Sequence, residues 1–315
     1  MSTVPPALSP ALSPAPDPET SEGLQGILAV TRAAAREAAR LVLGGFRKAP
    51  TVEHKGAVDL VTSFDRDSEE LLRRRLGDAL PFAIVGEEHG GAAERVAFYV
   101  DPVDGTTNFV HGHPFWCVSI GLVVANQPVL GVVISPPLGL EWYGWIAPSG
   151  ERLVMRRSAT NAIAFDANET ETESVRIVEE PCAVSTTARF EDALLATGFP
   201  YDRRTSPDNN FDAFVAIKKR CQAVRRCGSA ALDLCLVADG TYEGYWERKL
   251  RPWDVAAGIA LVRAAGGKVT DFEGGSACIE TGHVIATNGA IHDELTVELA
   301  QVVPSPGRSP GPRRA

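Results

Sequence analysis

The chain has 315 residues, 44% of them hydrophobic and 23% charged, a composition typical of a globular protein with one large domain or two smaller ones. Its 31 Lys and Arg residues are outnumbered by 40 Asp and Glu residues, which gives a formal net charge of −9. This acidic balance argues against general binding to nucleic acids or anionic membranes, because both normally require a basic surface.

Proline is concentrated at the two ends of the chain, where it is mixed with Ser, Ala and Gly. Ten of the 22 prolines lie within residues 1–18 and 304–312. Segments of this composition bury too little apolar surface to offset the entropy lost on ordering. We therefore predict disordered tails at residues 1–20 and 304–315, on either side of one folded domain at residues 21–303.

The cysteines and the first tail bear on the cellular compartment of the protein. There are six cysteines and no C-x-x-C pair, and the first tail lacks the basic start and the apolar stretch of a signal peptide. These features predict a cytoplasmic protein with reduced thiols. No apolar run is long enough to span a membrane. Together with the acidic charge balance, this leads us to expect neither a membrane nor a nucleic acid as a partner.

Hydrophobic periodicity predicts two helices near the start of the domain. The first begins near Ser21 and ends at the glycines of residues 44–45. The second follows Asp65, for which a helix N-cap is an ordinary role, and Pro81 closes it.

Several short strands are predicted next. Residues 83–85 and 97–100 are short apolar runs, and acidic residues follow each of them. Residues 118–124 and 129–134 are rich in β-branched residues and flank a turn. This pattern predicts a central antiparallel hairpin.

The second half of the chain is less regular. For residues 147–185 we predict strands around a mobile loop, with no chemistry assigned to them. A further helix is predicted from Asp254 to the glycines of residues 266–267. Because helices and strands mix without strict βαβ alternation, the pattern favours layered α+β architecture over a doubly wound sheet.

The most informative segment is DPVDGTTNF, at residues 101–109. Asp101 and Asp104 follow a buried strand and are separated by a proline, so both carboxylates can face one cation, with the Val103 carbonyl as a further oxygen donor. Oxygen donors suit a hard ion such as Mg²⁺. The glycine at residue 105 begins a turn whose backbone amides can bind an anion. Together these features suggest metal-assisted phosphate chemistry.

Each acidic residue also has an ordinary structural alternative. Asp101 and Asp104 could belong to an Asx-Pro turn followed by a helix cap. Asp254 precedes a predicted helix and could serve only as its N-cap. Of the pair that follows residues 83–86, Glu88 is best explained as a solvated charge at a strand end, which leaves Glu87 as the candidate ligand.

At this point the sequence resembles a known family, the inositol monophosphatases. GEE at residues 86–88 with residues 101–109 is similar to the first signature of that family, and WDVAAG at residues 253–258 with AGG at residues 265–267 to the second. Shorter matches support the resemblance: DLVT at residues 59–62 with Asp65, TGFPY at residues 197–201 and GSAA at residues 228–231. It implies the layered α-β-α-β-α sandwich shared with fructose bisphosphatases, assembled as a homodimer.

The resemblance also implies an activity, that of a Mg²⁺-dependent, lithium-sensitive phosphomonoesterase. The metal ligands that it implies are Glu87, Asp101, the Val103 carbonyl, Asp104 and Asp254. Thr106, paired with Asp65, would act with Glu87 to orient the attacking water, and Gly105 and Thr106 would bind phosphate oxygens. Substrate contacts are implied for Asp104, Ala230, Glu247 and Asp254, of which Glu247 would contact inositol hydroxyls.

The resemblance leaves three hypotheses about function open. The leading hypothesis is hydrolysis of myo-inositol monophosphate by metal-activated water, which Thr107 and Glu247 favour. Other small phosphate esters handled by the same superfamily form the first alternative, namely histidinol phosphate, fructose bisphosphate and nucleotide bisphosphates. A regulatory binding protein that keeps the phosphatase fold is the second. The intact set of metal-binding residues favours an enzyme.

Overall fold

The computed structural model describes residues 15–48, 52–54, 60–159 and 176–302. The helices of these residues, in chain order, are α1 (Ser21–Gly45), α2 (Ser63–Ala79), α3 (Thr106–Val110), α4 (Phe211–Lys218), α5 (Ala230–Ala238), α6 (Pro252–Ala264), α7 (Cys278–Thr281) and α8 (His292–Ala300). The strands are β1 (Val52–His54), β2 (Leu60–Thr62), β3 (Ala83–Gly86), β4 (Val96–Asp104), β5 (Cys117–Val124), β6 (Gln127–Ser135), β7 (Leu140–Ile146), β8 (Arg152–Ala159), β9 (Ile177–Pro181), β10 (Leu194–Thr197), β11 (Ala223–Arg225), β12 (Gly244–Glu247), β13 (Lys268–Thr270) and β14 (Val284–Thr287).

The strands form two main sheets. The larger has the order β3-β4-β5-β6-β7-β8-β9, in which β3 and β4 are parallel and the other neighbours antiparallel. The smaller has the order β11-β10-β12-β14-β13, with β10 parallel to β11 and β12. A separate antiparallel pair joins β1 and β2. Because both sheets mix parallel and antiparallel pairs, the predicted α+β class is confirmed.

The side chains on the two faces of each sheet pack against different helices, and this defines the layers of the fold. On β4, Phe98 packs among residues of α1 and α2, whereas its neighbours Ala97 and Tyr99 pack among residues of α5 and α6. The far side of α5 and α6 contacts the smaller sheet, which includes Tyr245. The opposite face of that sheet carries Trp246 and packs against α4 and α8. The sequence of layers is therefore α-β-α-β-α, as the resemblance implied.

Two facing glycines allow α6 to lie directly on the larger sheet. Gly121 of β5 pairs with Gly131 of β6. A Cβ at Gly121 would come within 2.5 Å of the Ala257 nitrogen, and a Cβ at Gly131 within 2.3 Å of the Ala257 oxygen. Only glycine at these positions permits such an approach of the helix backbone. It brings the start of α6 beside the end of β4.

The helices begin close to their predicted positions. Helix α1 spans Ser21–Gly45 as predicted, and the Thr20 side chain accepts a hydrogen bond from the Gly23 amide to cap it. Within the tail predicted for residues 1–20, residues 15–20 are described, and they include Thr20, the N-cap of α1. The remaining tail residues, 1–14 and 304–315, lie outside the described residues, as does residue 303. No helix of the described part is long and apolar enough to cross a membrane.

The predicted hairpin is confirmed, whereas one strand was predicted too short. Strands β5 and β6 pair antiparallel through a two-residue turn, at which Ala125 and Asn126 have φ angles of 47° and 64°. Strand β4 continues to Asp104 instead of ending at residue 100. In the irregular stretch, β8 and β9 form the predicted strands, and residues 160–175 between them lie outside the described residues.

Candidate active site

A bulge at the end of β4 brings two carboxylates together. Asp101 pairs with Ser119 and Asp104 with Cys117, so β4 contains one more residue than β5 over this interval. Residues three apart on a regular strand point to opposite faces, and the extra residue removes this alternation. An Asp101 carboxylate oxygen also accepts a hydrogen bond from the Val103 amide at 3.0 Å. Both aspartates therefore end on one side of the strand, as the sequence predicted.

Asp101 is buried beside three other acidic residues. It is 2% exposed, and burial raises the pKa of its carboxyl well above the usual value. The negative charges of Glu87, Asp104 and Asp254 raise the pKa further, in that order of effect. Like charges that act on one buried group must lie close to it. The structure thus brings four of the predicted acidic residues together.

Asp104 is connected to the start of α5. One of its oxygens accepts hydrogen bonds of 2.7 Å from the Ser229 hydroxyl and from the Ala231 amide. Burial raises the pKa of Asp104 to about 6, although these hydrogen bonds to the ionised form lower it. Ser229 is the N-cap of α5, so Ala230, the first residue of the helix, lies beside this carboxylate.

Asp254 is placed by a capping arrangement that differs from the predicted one. Helix α6 begins at Pro252, and its N-cap is Arg251, not Asp254. A proline at the first helical position is a recognised start signal, because its missing amide would have no partner there. Asp254 accepts a 2.7 Å hydrogen bond from the Arg251 amide, and burial followed by the charge of Asp104 raises its pKa well above the usual value.

Asp65 combines a capping role with a contact in the site. Helix α2 starts at Ser63, two residues before Asp65, and its N-cap is Thr62, so the alternative in which Asp65 is itself the N-cap does not hold. One Asp65 oxygen accepts hydrogen bonds from Thr62, while the other lies 3.1 Å from the Thr106 hydroxyl, as the resemblance implied. Burial raises the pKa of Asp65 despite these bonds. The Thr106 hydroxyl also lies 3.0 Å from the Val103 carbonyl.

The turn before Thr106 requires glycine. Gly105 has a φ of 96°, in the left-handed region that side chains rarely adopt. A Cβ there would lie 3.0 Å from the Phe115 carbonyl oxygen and 3.3 Å from the Gly228 carbonyl oxygen. Helix α3 starts at the next residue, so the backbone amides predicted to bind phosphate lie at a helix start.

Glu247 ends β12 in a confined position. It is 9% exposed, and burial raises its pKa to about 7, although the Tyr245 hydroxyl donates a 2.5 Å hydrogen bond to it. A Cβ at Gly198 would lie 2.0–2.2 Å from the carboxylate atoms of Glu247. The glycine of the TGFPY segment thus makes room for the Glu247 side chain. The charge of Glu247 in turn raises the pKa of Asp254, so the two residues share one region.

Sequence reasoning missed three contributors to this region. Ser229 lay within a quoted motif, and a serine before an apolar run is a recognisable N-cap signal. Tyr245 gave no signal of its contact with Glu247. Asp233 is 1% exposed, and one of its oxygens has no hydrogen-bond partner among the described residues. Burial, followed by the charges of Glu247 and Asp104, raises its pKa well above the usual value.

The donor set fits a hard cation by its chemistry. Every donor is an oxygen. Asp101 and Asp104 are buried and Asp254 is half-buried, with like charges beside one another, a costly arrangement that a cation would offset. Among the described residues, however, no three His, Cys, Asp or Glu side chains are arranged to hold a single ion. The metal assignment therefore rests on donor type, burial and repulsion.

Comparison with known proteins gives a consistent result. The profile of the inositol monophosphatase family matches residues 24–305. An inositol-1-monophosphatase of Synechocystis sp. is 39% identical over 88% of this chain and 90% of its own length. A Nus factor SuhB of Pseudomonas aeruginosa is 34% identical over 89% of this chain and 98% of its own length. The solved structure of an inositol monophosphatase from Anabaena covers 89% of this chain and 98% of its own, with a TM-score of 0.73 and 36% identity.

Proposed function

Because this chain belongs to the inositol monophosphatase family, a family of phosphatases, we propose that it hydrolyses myo-inositol monophosphate to inositol and phosphate. The observation that carries the proposal is the buried group of mutually repelling carboxylates around Asp101, next to the contact between Thr106 and Asp65. A phosphate monoester brings about two negative charges into such a site, so hydrolysis there requires a cation.

The proposed cation is Mg²⁺. The ligands that we assign to it are Glu87, Asp101, the Val103 carbonyl, Asp104 and Asp254. When bound, Mg²⁺ offsets the charge of the phosphate ester, lowers the pKa of water and stabilises the leaving alkoxide. The hydrogen bonds of Ser229 and Ala231 to Asp104, and of Arg251 to Asp254, hold two of these side chains in place.

Thr106 and Asp65 orient the attacking water. The Thr106 hydroxyl hydrogen points to the Asp65 carboxylate or to the Val103 carbonyl, both about 3 Å away, so the lone pairs of the hydroxyl oxygen can accept a hydrogen from water. Glu87 supplies a second acceptor for the same water. The backbone amides of Gly105 and Thr106, at the start of α3, bind the phosphate oxygens.

Glu247 recognises the leaving group. As a buried carboxylate it accepts hydrogen bonds from substrate hydroxyls, which favours a polyol over an aromatic alcohol. The small side chain of Ala230 leaves room for the inositol ring, and Asp104 and Asp254 lie beside the ester oxygen.

A second role, as a regulatory binding protein, is favoured by one observation. A relative of Pseudomonas aeruginosa with 34% identity over nearly its whole length is named a Nus factor. We propose a partner-binding role only in addition to catalysis, because the carboxylate group is complete. A homodimer and a cytoplasmic location also belong to the proposal.

A phosphate-release panel tests the proposed function. The purified chain is incubated with myo-inositol, fructose, histidinol and nucleotide phosphates, each with Mg²⁺, with Mg²⁺ plus Li⁺, and with a chelator. We expect the highest kcat/KM for inositol monophosphate, no release with the chelator, and inhibition by Li⁺. A higher kcat/KM for another ester would mean that this ester, not inositol monophosphate, is the preferred substrate. Phosphate release in the presence of the chelator would overturn the metal assignment.

A further inference from the structure

One face of α2 contacts three separate parts of the site. Asp65 contacts Thr106, and one turn later the Ser68 hydroxyl lies 3.5 Å from the Pro102 carbonyl, next to Asp101. Glu69 follows, and its carboxylate contacts the loop that carries Glu87. Residues three or four apart share a helix face, so this single face reaches the start of α3, the bulge of β4 and the loop after β3.

Glu69 holds the backbone on both sides of Glu87. Its side chain is fully buried, and its two oxygens accept hydrogen bonds from the Glu88 amide at 2.6 Å and the His89 amide at 3.1 Å. On the other side, a Cβ at Gly86 would lie 2.1–2.6 Å from the same carboxylate. Gly86, Glu88 and His89 therefore all lie against Glu69, and Glu87 is the residue between them.

Arg73 completes the arrangement. Its guanidinium nitrogen Nε lies 2.8 Å from the Glu69 carboxylate, one helical turn away. Its remaining nitrogens donate to the carbonyls of Ile84, before the loop, and Gly90, after it. Gly86 and Gly90 are joined by backbone hydrogen bonds of 2.8 and 3.1 Å. The loop is thus held at both ends by one ion pair on α2.

The ion pair between Glu69 and Arg73 is stable only in a well-defined geometry. Burying a carboxylate costs several kcal/mol, which an ion pair and two charge-assisted hydrogen bonds recover only if the geometry is maintained. The loop could not move without leaving the Glu69 charge poorly paired. Its position relative to α2, and hence to Asp65 and the end of β4, is therefore well determined.

We propose that Glu69 and Arg73 are positioning residues, which fix the Glu87 carboxylate relative to Asp101 and Asp65. This inference rests on the proposed function, in which Glu87 binds Mg²⁺ and orients water. Neither Glu69 nor Arg73 contacts substrate in this account. Their loss acts through Glu87, so it weakens Mg²⁺ binding and turnover while substrate recognition through Glu247 is kept.

The test is Glu69→Gln in the full chain. Glutamine has the same shape, but one of its ends is an amide that cannot accept from the loop, so at least one contact of Glu88 or His89 is lost. Mg²⁺ binding is measured by calorimetry without substrate, and the Mg²⁺ concentration for half-maximal activity is measured in parallel. We expect the Mg²⁺ affinity to fall, and the Mg²⁺ concentration for half-maximal activity to rise, by about ten- to a hundredfold. Losses of this size are typical when a group that supports a metal ligand is removed. The KM for inositol monophosphate at saturating Mg²⁺ stays within about twofold of wild type.

Glu37→Gln is the matched control. Glu37 lies on α1 and forms an exposed ion pair of 2.8 Å with Arg75, also on α2. The same chemical change there should leave Mg²⁺ affinity unaltered. Arg73→Lys is the second variant. It keeps the positive charge but loses the contacts to Ile84 and Gly90. It tests the positioning role if Glu69→Gln does not fold. It should weaken Mg²⁺ binding in the same direction.

The outcomes separate this inference from the proposed function. Wild-type Mg²⁺ affinity in the Glu69 and Arg73 variants, with an active Mg²⁺-dependent wild-type enzyme, would overturn the positioning role alone. A wild-type protein that binds no Mg²⁺ would overturn the metal assignment and this inference with it. An equal loss in Glu37→Gln would show that α2 stability, not the position of Glu87, controls Mg²⁺ binding, which would also contradict the inference.

Discussion

The hydroxyl of Ser229 donates a 2.7 Å hydrogen bond to the carboxylate of Asp104, although 125 residues separate them in the chain. Ser229 is also the N-cap of α5, whose Leu232 amide lies 3.3 Å from the same hydroxyl oxygen. One side chain therefore joins the start of a central helix to a proposed metal ligand. Local helix stability and the geometry of the site depend on the same atom.

This contact predicts the behaviour of two variants. Ser229→Ala removes both interactions, so we expect the Mg²⁺ requirement of the phosphatase to rise about ten- to a hundredfold. The lost cap should lower the free energy of unfolding by about 1 kcal/mol. Ser229→Thr keeps a hydroxyl and serves as the control. Mg²⁺ titrations of activity and chemical denaturation measure the two effects, and an unchanged Mg²⁺ requirement in Ser229→Ala would show that Asp104 does not need this contact.

The contact of Thr106 with Asp65 predicts a specific loss of turnover. In Thr106→Ala the attacking water loses an acceptor, so kcat should fall about 100-fold or more, while KM changes little. Thr106→Ser retains the hydroxyl and should keep most of the activity. Steady-state kinetics with saturating Mg²⁺ checks this. A rise in KM at constant kcat would place Thr106 in substrate binding instead.

Substitution of Glu247 should change the substrate selectivity of the phosphatase. Glu247→Ala removes a charged acceptor of substrate hydroxyls, worth about 1.5–3 kcal/mol, so kcat/KM for inositol monophosphate should fall about 10- to 100-fold. Gly198→Ala should act in the same direction, because its Cβ would meet the Glu247 carboxylate. The control substrate is a simple aryl phosphate, for which both variants should stay near wild type. Equal losses on both substrates would remove the specificity role.

The buried position of His292 should make the free energy of unfolding depend on pH. Its two ring nitrogens lie 2.9 Å and 3.0 Å from the hydroxyls of Thr287 and Thr270, and burial lowers its pKa from 6.5 to about 4. Since the unfolded chain then binds the proton more strongly, this residue lowers stability as the pH falls below 6.5. From neutral pH to about pH 5 its contribution should fall by about 2 kcal/mol.

The measurement compares wild type with His292→Gln by chemical denaturation at both pH values. The carboxyls with raised pKa are common to both proteins, so the difference isolates His292. The variant should lose less stability on acidification than wild type. Parallel pH dependences would mean that His292 does not titrate as its buried position requires.

Much of the fold was predictable from local patterns. The apolar period of α1, the hairpin of β5 and β6 and the two motifs with their acidic residues were all recognisable in the sequence. The exact helix starts were not, because Asp65 and Asp254 occupy the third helical position, from which a carboxylate accepts hydrogen bonds from the cap residue. A sequence pattern does not distinguish that position from the cap itself.

The supporting contacts could not be predicted at all. Glu69 and the Glu88 amide are 19 residues apart, and Ser229 and Asp104 are 125 apart. Such pairs are brought together only when α2 and α5 pack against the larger sheet. Glu69 reads as an ordinary helix residue, and only its full burial in the folded chain distinguishes it.

In the proposed function, the carboxylates around Asp101 form a Mg²⁺-dependent phosphatase centre. The most direct test is Asp104→Asn, because asparagine can still accept from Ser229 and Ala231 but has lost the charge that a cation needs. We predict that kcat for inositol monophosphate falls by about 100-fold or more, while the melting temperature without Mg²⁺ does not decrease. Near-normal turnover in a folded Asp104→Asn protein would contradict the claim.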